Sequence, residues 1–189
     1  MISVDPAVFI MLAAMVLLFP VPWVFAWIGA VLVHELGHYL MVRLCGYRVH
    51  EICIGINGAK MQTEALSPVA QVFSSLAGPV AGLCLFPLRR ICPHLTLCAL
   101  LHSAYNLMPV QGLDGEVALQ SILEMLFGDT ISLRICTVVE WVFLGFCVFF
   151  AVYMAQSGLG WLPLLAVIIL VLRNKKIKFS CKQGLLAVQ

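Results

Sequence analysis

Charge is the scarcest commodity in this chain. Only 11% of its 189 residues are Asp, Glu, Lys or Arg, against roughly 25% in a soluble domain. A net charge of +2 leaves no basic surface for nucleic acid, so that class of partner is excluded. The eight cysteines contain no C-x-x-C pair, which argues against a thiolate metal site or a disulfide framework. They read instead as small apolar packing residues. Internal repeats and low-complexity tracts are missing too. The segment from Met1 to Pro6 lacks the basic region of a signal peptide, so the first apolar stretch is expected to be a retained span.

Hydrophobicity fills the space that charge leaves. Apolar residues make up 62% of the chain and mean hydropathy is +1.04. These values define an integral membrane protein. At ~20 residues per span the length accommodates about six transmembrane helices, with no accessory soluble domain. The expected architecture is an all-α polytopic membrane protein forming a single domain over residues 1–189.

The pattern places the segments at residues 7–19, 23–44, 68–88, 93–108, 137–156 and 159–172, with a further helix from Asp114 to Phe127. Pro20 and Pro22 turn the chain between the first two. Between the second and third, Ile52, Ile54 and Ile56 alternate at strand period, and Asn57-Gly58 follows. That arrangement predicts a short membrane-associated β-hairpin over residues 49–63. Gly78-x-x-x-Gly82, with Ser74 a turn earlier, gives the third segment a small-residue face suited to close helix packing. Glu140, one turn into the fifth segment, is expected to snorkel at an interface. Basic residues gather at Arg43, Arg48, Lys60, Arg134 and the tail after residue 172, with Arg89 and Arg90 opposite. The positive-inside rule then puts both termini and the hairpin on the cytoplasmic side.

Within the second segment stands His34-Glu35-Leu36-Gly37-His38. Histidines four residues apart on a helix project from one face, about 6 Å apart, within reach of a single cation. Glu35 is turned about 100° from His34 and so remains available to act on water at the metal. Three ionisable side chains in five positions of an apolar helix are costly, and such groups are retained for function. Imidazole and carboxylate donors with one open position suit zinc, one ion per chain. Pro109 and two glycines break the chain after the fourth segment, and Asp114, read alone, is the N-cap of the next helix. His102 and Asn106 share a face, and His102 reads as a buried, hydrogen-bonded histidine.

Taken together, His34-Glu35-Leu36-Gly37-His38, Gly78-Pro79, and Asn106-x-x-Pro109 leading to Leu113-Asp114-Gly115 resemble the site-2 protease family of intramembrane metalloproteases. The likeness is strongest to the compact bacterial sporulation type, which processes a membrane-associated sigma-factor precursor, and it covers residues 23–127. The resemblance implies His34, His38 and Asp114 as zinc ligands, Glu35 as catalytic base and Asn106 as a polar active-site residue. It also implies a membrane-associated protein substrate and a regulatory or inhibitory membrane protein. This chain departs from the family pattern at Gln111-Gly112, where a proline commonly precedes Leu-Asp-Gly, and at Glu116, where glycine is common. Two other classes fit the histidines less well. A membrane metal-binding or transport protein has no need of Glu35 or Asp114, and a zinc hydrolase acting on lipid would release lipid products.

Overall fold

The computed structural model describes residues 2–55 and 58–158, with 161, 167 and 168 besides. The segment expected at 159–172, the basic tail, Ile56 and Asn57 lie outside the described residues. The chain divides into two compact units, Met1–Met108 and Pro109–Gln189. Each is described by itself.

The first unit begins with strand β1 (Ile2–Val4) and helices α1 (Ala7–Leu18) and α2 (Val21–Leu44). Asp5 starts α1 by accepting the Ala7 N–H on Oδ1 at 2.9 Å. Pro20 and Pro22 then do what their missing N–H groups allow. Pro20 caps α2 and Pro22 sits in its first turn, where no intrahelical donor is required. Strands β2 (Val49–Gly55) and β3 (Gly58–Thr63) form the expected antiparallel hairpin. A third strand was not foreseen: β1 pairs parallel with β2, with Ile2 opposite Ile52 and Val4 opposite Ile54. The sheet order β1-β2-β3 makes β2 central. Three residues are too few to show a strand period, so β1 is invisible to pattern reading.

Helix α3 (Pro68–Leu83) opens on Ser67, whose Oγ accepts the Ala70 N–H, and Pro68 takes the first helical position. The Ser67 N–H is in turn held by the Tyr47 hydroxyl at 3.1 Å, which ties the chain leaving α2 to the start of α3. Hydrogen bonding from Ser67, by its side chain first and its backbone N–H second, lowers the Tyr47 pKa, because it favours the phenolate. A 3-10 turn (Phe86–Arg90) leads to α4 (Pro93–Asn106). Helices α2, α3 and α4 pack on one another.

The second unit holds α5 (Asp114–Phe127), with the limits expected, and α6 (Asp129–Gln156), which pack together. Gly128, at φ 77°, separates them. No breaker lies between Asp129 and Thr137, so α6 starts eight residues before the expected 137. This displaces Glu140 to about 17 Å along the helix at 1.5 Å per residue. There it is 3% exposed, so the expected interfacial snorkel is corrected to a buried carboxylate.

Three helical stretches among the described residues are long and apolar enough to cross a membrane: Val21–Leu44, Pro68–Arg90 and Asp129–Gln156. Six were expected. Of the other three, helix α1 at 12 residues and α4 at 14 fall short of the ~20 needed, and the segment expected at 159–172 lies outside the described residues. The fold is therefore a mostly helical membrane protein with a small mixed sheet. Its outward side chains include Ile10, Leu17, Phe146 and Phe149, a surface made for lipid rather than water.

Candidate metal centre

The HExxH residues lie in the second half of α2, and α3 fixes one of them. His38 Nδ1 donates to the Ser74 carbonyl oxygen at 2.7 Å. That bond selects the neutral tautomer in which Nε2 carries the lone pair. His38 Nε2 lies 3.0 Å from His34 Nε2. Two ligands on tetrahedral zinc, each at ~2.1 Å, would be about 3.4 Å apart, so the pair is spaced close to what one ion requires. His34 is buried, while Glu35 and His38 are half-buried.

Close helix approach makes this possible, and missing methyl groups make the close approach possible. A Cβ on Gly78 would overlap the His38 ring, meeting Nε2 and lying 2.6 Å from Cε1. A Cβ on Gly37 would lie 2.6 Å from the Ala77 carbonyl oxygen and 2.8 Å from Ala81 Cβ. Gly82 does the same for α4, where its Cβ would collide with Ser103 Oγ. The small-residue face of α3 thus packs as expected, yet at Gly78 what it packs against is a metal-ligand candidate.

Helix α4 supplies a neighbour that sequence reasoning set aside. The His102 ring stands edge-on to His34, with centroids 4.6 Å apart and planes at 81°. His102 is half-buried rather than buried. Asn106, four residues on, sends its Nδ2 to the His102 carbonyl oxygen at 3.0 Å. Their shared helix face was the available signal, but it could not say that the face meets α2.

In the second unit Asp114 is the first residue of α5, not its cap. Leu113 occupies the cap position, and no side chain caps the helix. Asp114 is half-buried, as is Glu116 in the same turn. The loop before it is a tight turn in which the Leu113 N–H bonds the Val110 carbonyl at 3.1 Å. Gly112 occupies its third position at φ 82°, the value a type II turn requires there. Val110 and Leu113 bury their side chains at 2% and 3% exposure. The Gln111 N–H donates to Glu140 Oε1 at 3.0 Å.

These features define a class: a helical membrane protein whose core helices bring two imidazoles to metal-binding distance. A comparison with solved structures bears on the fold. The chain is similar to a site-2 protease from Methanocaldococcus jannaschii, with TM-score 0.60 and 21% identity, over 96% of this chain and 89% of that one. It shares that protein's fold. No family model and no curated protein matches the sequence.

Proposed function

We propose that the protein is an intramembrane zinc metalloprotease of the site-2 type, cutting a peptide bond in or near the membrane segment of a membrane-associated protein. The convergence of His34 and His38 Nε2 at 3.0 Å, with the His38 tautomer set by Ser74, carries this reading. Asp114 is proposed as the third ligand. It would bring the carboxylate that the sequence motif implies. The fold shared with a site-2 protease supports the same reading.

Bound zinc supplies Lewis acidity, activating water and polarising the scissile carbonyl. The chain's own residues do the rest. Glu35 takes the proton from the attacking water and returns it to the leaving nitrogen. The Asn106 amide has two N–H donors, one of them given to the His102 carbonyl, and the second is available to a developing oxyanion. His38 is held to its tautomer throughout by Ser74. A helical substrate hides its carbonyls and must unwind locally before it is cut. Strand β3 is the outer strand of the hairpin, and an extended substrate paired along it would replace the backbone bonds lost on unwinding.

The motif likeness extends the proposal to a regulatory precursor of the sigma-factor kind, with a membrane protein as regulator and the site opening to the cytoplasm. The test co-expresses candidate single-span proteins with the parent chain or its Glu35→Gln variant and reads products by mass spectrometry, with zinc content measured on each purified variant. Glu35→Gln should abolish cleavage and keep zinc. Replacing His34, His38 or Asp114 by Ala should lose both. Cleavage that survives Glu35→Gln would sink the mechanism, and full zinc in Asp114→Ala would remove Asp114 from the ligand set.

A further inference from the structure

A carboxylate in the middle of an apolar helix is costly unless something is gained from it. Glu140 is 3% exposed within a helix long and apolar enough to cross a membrane, and it accepts a hydrogen bond from the backbone of Gln111. Gln111 is the second residue of the turn from Val110 to Leu113, and Asp114 follows directly. In a type II turn the second position has φ near that of proline, and proline is common there. A proline at this corner needs no acceptor, since it has no N–H. Gln111 does have one. Between two buried apolar side chains, that N–H must find an acceptor or stand unsatisfied.

We infer that Glu140 is a positioning residue: it satisfies the Gln111 N–H and thereby fixes the turn that delivers Asp114 to the first position of α5. The Glu140 carboxylate and the non-proline corner are two halves of one solution. The inference rests on Asp114 being a zinc ligand, so zinc affinity of the purified full chain, measured by chelator competition, is the readout.

Glu140→Leu keeps the volume and removes the acceptor, and it should weaken zinc binding at least tenfold, as Asp114→Ala does. Glu140→Gln keeps an oxygen acceptor and should stay within about threefold of the parent. The deciding variant is Gln111→Pro combined with Glu140→Leu. Proline removes the stranded donor and presets the corner, so zinc affinity should recover to within a few-fold of the parent. A role for Glu140 in helix packing alone would not be rescued by a change in a different loop. Parent-like zinc binding in Glu140→Leu, or no recovery in the double variant, overturns the inference. If Glu140→Leu alone does not fold, recovery of both fold and zinc in the double variant supports it, and failure of both overturns it. Full zinc in Asp114→Ala would instead sink the ligand assignment, a different outcome from either.

Discussion

Gly78→Ala is the smallest change that should disable the metal centre without touching a ligand. The added methyl would sit 2.6 Å from His38 Cε1 and 2.7 Å from Cδ2. Ordinary contact begins near 3.4 Å, so ring and methyl must separate by about 0.8 Å. Retreat of helix α3 would open the close packing of Gly37 on the Ala77 carbonyl and Ala81 a few residues away. Whether the ring or the helix yields, the 2.7 Å bond from His38 to Ser74 on α3 is strained. Ligand distances tolerate errors of only about ±0.2 Å, so a displaced Nε2 no longer serves. Stability should change much less. Overpacking costs ~1–3 kcal/mol, and the better helix propensity of Ala offsets ~1 kcal/mol of that. Zinc affinity should fall by roughly 10–100-fold, the usual effect of disturbing a ligand's supporting contact. Chelator competition on the purified variant gives the affinity, and a melting curve of the metal-free protein gives the stability. Gly145→Ala is the control, since a Cβ there meets nothing within 4 Å. A Gly78→Ala protein that is folded and binds zinc as the parent does would refute the argument.

Two further outcomes follow from geometry already described. Gly112→Pro should lower both melting temperature and zinc affinity, because proline is locked near φ −65° and Gly112 sits at +82°. Parent-like values for both would mean that the turn is not as drawn. In a background without native cysteines, a thiol placed at Glu64 should react with a membrane-impermeant reagent from the cytoplasmic side, and one at Arg90 from the opposite side. Glu64 and Arg90 are exposed residues flanking the Pro68–Arg90 stretch at its two ends, and labelling in the reverse sense would overturn the orientation.

Much of the fold was legible where its cause is local. The starts of α3, α4 and α5 follow from Pro68, Pro93 and the break before Asp114. The hairpin follows from alternation and Asn57-Gly58, and the histidine pair from its spacing of four. The unread features all join residues far apart in sequence: β1 on β2, His102 beside His34, Gly78 under His38, and Gln111 on Glu140. A helical period says which residues share a face but not which face of another helix they meet. Glu140 shows how one boundary error propagates. Starting α6 at 137 made its carboxylate interfacial, and starting it at 129 buries it.

The bond from His38 to Ser74 also orders events in time. Helix α2 is synthesised and can enter the bilayer before α3 exists, and at that stage the Ser74 carbonyl is not yet there to hold His38 Nδ1. That carbonyl belongs to α3, some thirty-six residues later in the chain. A competent imidazole pair is therefore a product of docking rather than of the motif. On the proposed function, zinc loading would wait until the α2–α3 pair has closed. A half-inserted chain would then carry no active centre in the membrane.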